Sequence, residues 1–455
     1  MTTTDVERIN ERARQIAYAE GRQLLDRTGQ SKAWFERASK TMPSGVASSF
    51  QVGDPYPLYL REGHGSKVTD VDGNEYIDFH NGFGAMVVGH AHPKVVEAII
   101  RASRAGTHFA APTPDTVLFA EELCRRFSLD KVRMANSGTE ATMSAIRVAR
   151  AATERDDIVK IEGSYHGHHD QVMFSVVPGS DLMGGREMPA SAPMSLGVPK
   201  FLAEHTHVVP FNDLEVLARI LAEHGESIAC LIIEPVMMNI GVAQPEPGYL
   251  QGLKDLLHKH GVLLIYDEVK SGATIAAGGA TERYGVKPDL ACFAKAIGGG
   301  TPAAAFGGRA DVMETIERGA AHQGTYNGNP LVAAAGLATL TEVLTPDAYA
   351  HLAKIGSRIA DGCGKALAEH GIPGHTVDLG AKGCVSYRSE PLRNYRDFLE
   401  TNTELYNASY PWMINRGVFM TPGDEEQWTL SVQHTEADVD RYVDAFAELC
   451  AELAR

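Results

Sequence analysis

The chain has no cysteine pair at C-x-x-C spacing; its six cysteines, Cys124, Cys230, Cys292, Cys363, Cys384 and Cys450, are scattered. That excludes a zinc ribbon or a dithiol redox motif and reads as reduced, cytoplasmic thiols. The sequence nowhere sustains an apolar run of about 18 residues, so it predicts no membrane-spanning helix. The charged stretch from Asp5 to Arg27 lacks the apolar core of an export signal. Basic charge is also scarce: a formal net charge of −16 over 455 residues disfavours a nucleic-acid groove or an anionic membrane as partner. No G-x-x-x-x-G-K-[ST] occurs, and the glycines after Lys295 do not complete G-x-G-x-x-G, which weakens nucleotide readings. There is no internal repeat and no low-complexity tract. What remains is a globular chain, 44% hydrophobic and 22% charged, long enough for more than one core and suited to small-molecule partners.

The patterning divides that chain. Residues 5 to 40 read as a helical arm, with Val6, Ile9, Ile16 and Ala17 at helical spacing. Asp72-Gly73 between two alternating runs predicts a hairpin, and a helix is expected from Pro93 to Arg104. From Lys131 to Gly308 short apolar runs alternate with helical stretches, the pattern of an α/β domain with a mainly parallel sheet. Strands are expected at 132–135, 158–161, 228–234, 262–266 and 291–293, and helices near 141–152, 213–223 and 249–260. Residues 175–200, rich in Pro, Gly, Ser and Met, read as a long loop of the kind that forms lids. The expected division is an N-terminal segment (1–85) packing with the small domain, a large domain (86–340) and a smaller α+β C-terminal domain (341–455).

The stretch from Val262 to Arg309 organises the chemistry. An apolar run ends in Asp267, and Lys295 leads into Gly298-Gly299-Gly300. A carboxylate for a ring nitrogen and an amine for an aldehyde carbon suit pyridoxal phosphate, although a satisfied strand-end aspartate and a surface lysine fit the same pattern. Ser137-Gly138-Thr139 between a strand and a helix offers a phosphate cradle at a helix N-terminus, or a plain N-cap. Tyr165-His166-Gly167-His168-His169-Asp170 contains metal-ligand residue types without a closing set at recognisable spacing. No metal is expected there, and an aromatic stacked on a flat cofactor ring fits better.

These stretches together carry a resemblance. NSGTEATMSAIRVAR (136–150), EGSYHGHHD (162–170), IIEPVMMNIGVAQPEPGYL (232–250), LLIYDEV (263–269), AKAIGGG (294–300), FGGR (306–309) and GTYNGNPL (324–331) resemble, in order, the class III pyridoxal-phosphate aminotransferases and within them the glutamate-1-semialdehyde aminomutase branch. The resemblance implies fold type I, with pyridoxal 5′-phosphate bound as a Schiff base to Lys295. It further implies Asp267 at the pyridine nitrogen, Ser137, Gly138 and Thr139 at the phosphate, and Tyr165 stacked on the ring with His166 beside it. Asn239 would stand near the ring hydroxyl. Thr325 would reach the phosphate of a neighbouring subunit in a homodimer. Glu426 falls where the aminomutase has an active-site glutamate, although with Glu425 adjacent it also reads as part of a solvated acidic loop.

The chain departs from that branch on the substrate side. Where the branch carries N-S-P-V-R, this chain has Val46-Ala47-Ser48-Ser49-Phe50, with no arginine between Arg37 and Arg61. S-W-G becomes Gly82-Phe83-Gly84, and after Asp267-Glu268-Val269 the chain continues Lys270-Ser271-Gly272-Ala273-Thr274 where many relatives place an arginine. Losing bidentate guanidinium groups changes which substrate is held more than the cofactor chemistry. The expectation is therefore an aminotransferase that moves an amino group between an amine or a β- or ω-amino acid and a keto or aldehyde acceptor in ping-pong fashion. Phe50 and Phe83 would line the substrate side, with Arg388 or Arg393 available from the C-terminal domain. The aminomutase reaction, a racemase or decarboxylase on the same fold, and a non-catalytic cofactor-binding module are the competing readings.

Overall fold

The computed structural model describes residues 3–422 and 428–455. A seven-stranded sheet runs through the middle of the chain. Its strands are β1 (Lys131–Ala135), β2 (Asp157–Ile161), β3 (Thr206–Val209), β4 (Ile228–Ile233), β5 (Leu263–Asp267), β6 (Leu290–Phe293) and β7 (Ala304–Gly308). The spatial order is β1-β7-β6-β5-β4-β2-β3, parallel throughout except for β7, which runs antiparallel to β6 and β1. Helices Gly138–Thr153, Leu214–His224 and Tyr249–Lys259 make crossovers. With helices over the sheet, β4, β5 and β6 are buried at every position, which is why those strands read as continuous apolar runs instead of alternating ones. The fold is α/β with a mainly parallel central sheet, as the expected fold type I requires.

One geometric consequence governs the site. The parallel strands all finish at the same edge, so the residues that follow β1, β2, β4, β5 and β6 emerge side by side, where open α/β sheets bind ligands. Asp267 is level with Cys292, so Asp267 and Lys295 leave neighbouring strands together.

The five expected strands and three crossover helices lie where the sequence puts them, within a few residues. Strands β3 and β7 were not anticipated. Ala304-Ala305-Phe306-Gly307-Gly308 has no β-branched residue, and its extended form is imposed by pairing on both sides. The N-terminal helical arm is two helices, Thr3–Arg27 and Gly29–Ala38. Thr28 leaves helical geometry, and the Asp72 carboxylate accepts the N–H groups of Gln30 (2.6 Å) and Ser31 (2.9 Å) at the second helix's start.

Lys67–Asp70 and Glu75–Asp78 form the hairpin expected around Asp72-Gly73, and Val418–Phe419 adds to Glu75–Asp78 in parallel. Helix Thr3–Arg27 lies along helix Thr403–Asn415. The C-terminal part also holds a three-stranded antiparallel sheet, His375–Asp378, Lys382–Ser386 and Trp428–Thr429. Residues 175–200 carry a short hairpin, Gly184–Gly185 with Met188–Pro189, and are anchored to the C-terminal part: Tyr395 donates its hydroxyl to Pro178 O (2.9 Å), and Arg396 donates to Gly184 O (3.1 Å). Among the described residues no helix is long and apolar enough to cross a membrane.

Candidate active site

Asp267 ends β5 at 5% exposure. Its Oδ1 accepts from Val269 N (3.0 Å) and its Oδ2 from His166 Nδ1 (2.8 Å). Burial pushes the His166 pKa down against the pull of Asp267, so a neutral imidazole with its proton on Nδ1 accounts for the contact. The other ring nitrogen, Nε2, is buried and among the described residues has no hydrogen-bond partner.

Lys295 begins the short 3-10 turn Lys295–Gly298 just beyond β6. Its φ of 51° is left-handed, a conformation that an L residue with a long side chain adopts at a cost of about 1–3 kcal/mol. The next residues supply positive-φ glycines, Gly299 and Gly300, which let the chain turn back into β7.

Ser137 follows β1 and caps helix Gly138–Thr153, its Oγ accepting from Glu140 N (3.2 Å). Glu140 reaches back to Asn136 N (2.7 Å). The N-cap reading is thus correct, and it leaves the phosphate reading intact, because the first-turn N–H groups of Gly138 and Thr139 have no intrahelical acceptor. A Cβ on Gly138 would press on the Val269 side chain at 3.0 Å, so the loop packs against the residue two beyond Asp267. Thr139 Oγ1 accepts from His168 N (3.3 Å), and a Cβ on Gly167 would lie 2.7 Å from Thr139 Cα. Glycine there lets the Tyr165 loop close onto the helix start.

Tyr165 leaves β2 four residues beyond Ile161, half-buried, and its N–H donates to Glu234 Oε1 (3.1 Å). Asn239 donates its Nδ2 to that same oxygen (2.8 Å), and Met238 N donates to Oε2 (3.2 Å). Glu234 is buried immediately after β4, and burial raises its pKa to about 7. Sequence reading passed over this glutamate, and also over Lys160, a fully buried lysine inside an apolar strand. An isolated charge in a run such as Val159-Lys160-Ile161 is the signal that could have found it.

Phe50 and Phe83, the residues expected on the substrate side, assemble with Tyr165 as an aromatic wall. Phe50, 54% exposed, sits edge-on to Tyr165 (centroids 5.4 Å) and tilted against Phe83 (5.6 Å). Phe83 has a left-handed φ of 55° and also meets His80 (4.3 Å). Arg388 instead donates to Glu400 Oε2 (3.1 Å) and to the carbonyls of Glu390 (2.9 Å) and Pro391 (3.2 Å), while Arg393 pairs with Glu246 (2.6 Å). Thr325 is exposed, beside Tyr326, and its segment touches the phosphate loop through Asn136 Nδ2 donating to Asn327 Oδ1 (2.7 Å). Glu426 lies outside the described residues.

A buried carboxylate, a lysine on the adjacent strand end, a helix N-terminus with a hydroxyl, and an aromatic on the loop after β2 form the donor set that pyridoxal phosphate needs. Residues 49–394 match the family model for class-III aminotransferases. The chain is 41% identical over 433 residues to glutamate-1-semialdehyde 2,1-aminomutase of Bacillus subtilis (strain 168), covering 94% of this chain and 99% of that one. Among solved structures it is similar to an omega-transaminase from Sphaerobacter thermophilus (35% identity, 93% and 97% of the two chains, TM-score 0.88). It is also similar to a glutamate-1-semialdehyde aminomutase variant from Pseudomonas aeruginosa PAO1 in complex with PMP (28% identity, 97% and 99%, TM-score 0.90). The chain belongs to the class III aminotransferases and is an enzyme that works with pyridoxal 5′-phosphate.

Proposed function

We propose that this enzyme is an aminotransferase of the aminomutase-like branch, moving an amino group from an amine or a β- or ω-amino acid to a keto or aldehyde acceptor by a ping-pong route. The observation that carries this reading is the Phe50–Phe83–Tyr165 wall, which stands where the aminomutase branch is expected to hold a carboxylate with arginine. A carboxylate seeking Arg388 would have to displace Glu400, and one seeking Arg393 would have to displace Glu246. An apolar wall instead rewards a hydrophobic or aromatic body by roughly 25 cal/mol per Å² of apolar surface removed from water. The S. thermophilus omega-transaminase, 35% identical, supports the same reading.

In the proposed site the bound cofactor supplies an electron sink for the pair left when a substrate Cα–H is broken. Lys295 Nζ would anchor it and, as a free amine, would move the proton at the donor Cα as general base and acid. Asp267, oriented by His166 and Val269, places a negative charge at the ring nitrogen. Ser137, Gly138 and Thr139 hold the phosphate by N–H and O–H donors, Tyr165 covers one ring face, and Asn239 holds the ring hydroxyl. We assign Thr325 to the phosphate of a second copy. Exposed Phe109, Val117, Leu118 and Tyr326 supply apolar surface for that contact, and sedimentation at the mass of one chain under assay conditions would remove this assignment.

A panel of donors and acceptors read by cofactor absorbance tests the function. Efficient turnover of a hydrophobic amine or β-amino acid is expected. Rapid conversion of glutamate-1-semialdehyde to 5-aminolevulinate without an added donor would establish the aminomutase reading instead, which the B. subtilis relative's name favours. Phe50→Arg is expected to lower kcat/KM for an apolar amine by about 10-fold or more, the cost of placing a charge against a hydrophobic substrate. Unchanged preference across the panel would separate Phe50 from the substrate.

A further inference from the structure

Next to the Tyr165 loop lies a row of alternating charges, buried from Glu162 inward, that the proposed mechanism does not use. Arg396, from the C-terminal part, makes a two-point contact with Glu162, both N···O distances 3.0 Å, and Glu162 is only 1% exposed. Two residues back along β2, Lys160 is completely buried, and its Nζ donates to Ser164 O (3.0 Å), Phe174 O (2.5 Å) and Ile161 O (3.4 Å). Glu162 and Glu234 both act on it electrostatically. Glu234 in turn accepts from Tyr165 N, Met238 N and Asn239 Nδ2.

Burial is the largest influence on both groups, and against the pull of their neighbours it leaves Lys160 lowered to about 7 and Glu234 raised to about 7. The partner sets point the other way. Three carbonyl oxygens around one amine are acceptors for the three protons of an ammonium; a neutral amine would turn a lone pair on one of them. Three N–H donors around one carboxyl group are the partner set of a carboxylate. Each charged form therefore has its hydrogen bonds in place, and each lies in the field of the other in a low-dielectric setting.

Resting on the reading that Tyr165 and Asn239 contact the cofactor, we propose that Lys160 and Glu234 are paired positioning residues for the cofactor: the Lys160 ammonium closes the loop from Ile161 to Phe174, and the Glu234 carboxylate hangs Tyr165 and Asn239 from a single oxygen. Neither residue touches the reacting atoms. Lys160 ties the residue before Tyr165 to the far end of the loop, so the ring-covering tyrosine is held from below. Glu234 fixes the loop's register against the segment after β4, so that Tyr165 and Asn239 keep a constant separation. The groups facing this pair are Glu162, His166, Asp267 and Lys270, which makes the charge of each member felt at the cofactor end of the sheet.

The test compares holoenzymes carrying Lys160→Met, Glu234→Gln and both changes, and reads two quantities. One is the rate at which cofactor is released to an apoenzyme acceptor, expected to rise about 10-fold or more in each single variant as the loop loosens. The other is the pH midpoint of the bound cofactor's visible absorbance. Removing a buried positive charge favours proton-bound states, so Lys160→Met should raise the midpoint. Removing a buried negative charge should lower it in Glu234→Gln, each by about one unit, with partial cancellation in the double variant. Opposite signs are the signature of two charges, which loosened packing alone would not produce. Equal-signed or absent shifts, or unchanged release, would overturn the proposal. Glu234→Gln is nearly isosteric and decides the matter if Lys160→Met does not fold. A native holoenzyme without a visible cofactor band would count against the reading of the site itself, which separates that failure from this one.

Discussion

Lys295→Ala is expected to abolish turnover, by a factor of about 10⁴ or more, and to eliminate the borohydride-reducible cofactor adduct on the protein. The residue has two proposed tasks, covalent anchor and proton carrier at the substrate Cα, and alanine supplies neither an amine nor a proton acceptor. The fold should survive the change. The left-handed φ of 51° at position 295 disfavours any residue with a Cβ, and alanine has the same Cβ as lysine, so the backbone cost is carried over unaltered. Cofactor should still bind, reversibly, through the phosphate loop and Asp267. The measurements are turnover, mass after borohydride treatment, and a melting curve. An active Lys295→Ala protein would remove the lysine from the centre of the mechanism.

Asp267→Asn should lower kcat by about 10²–10³, or roughly 3–4 kcal/mol of transition-state stabilisation, while leaving the protein folded. The substitution keeps the shape and deletes the charge at a residue that is 5% exposed, where a lost charge is poorly replaced by water. It also disturbs the local bonding. Both carboxylate oxygens accept, one from Val269 N and the other from His166 Nδ1, so either orientation of the amide sets an N–H against a donor. The imidazole then has to change tautomer or turn, and its Nε2 has no partner among the described residues to guide it. Asp267→Glu would restore the charge and misplace it by a methylene, so it should recover part of the rate. An Asp267→Asn enzyme with native kcat would remove the carboxylate from the assignment.

Much of the central sheet was legible because buried parallel strands announce themselves as apolar runs and because the residue at each strand end belongs to a motif. Asp267, Lys295 and Ser137 could be placed from sequence for that reason. Strand β7 could not, because Ala304 to Gly308 has no intrinsic preference for extension and takes its form from two neighbouring strands. The break at Thr28 was hidden because the Asp72 side chain that caps the second helix is remote in sequence. The cap and the proposed phosphate contact of Ser137 compete in the sequence, whereas the structure shows the cap in place with the first-turn N–H groups of Gly138 and Thr139 outside it. Lys160 and Glu234 carried a visible signal, a charge beside or inside a buried run, but their partners are backbone atoms of a loop whose path no local pattern reveals. The commitments of Arg388 and Arg393 to Glu400 and Glu246 are contacts of the same kind, set by tertiary structure.

The split origin of the site has a consequence for how such an enzyme diversifies. The proposed cofactor contacts come from the ends of strands in one sheet, whereas Phe50 and Phe83 come from an N-terminal stretch whose hairpin is completed by Val418–Phe419. On the proposed reading, substitutions in that stretch would meet the substrate without passing through the sheet, so selection for a new amine could proceed there while the strand-end residues are inherited intact. Close overall identity to an aminomutase and a different substrate are thus compatible within one lineage.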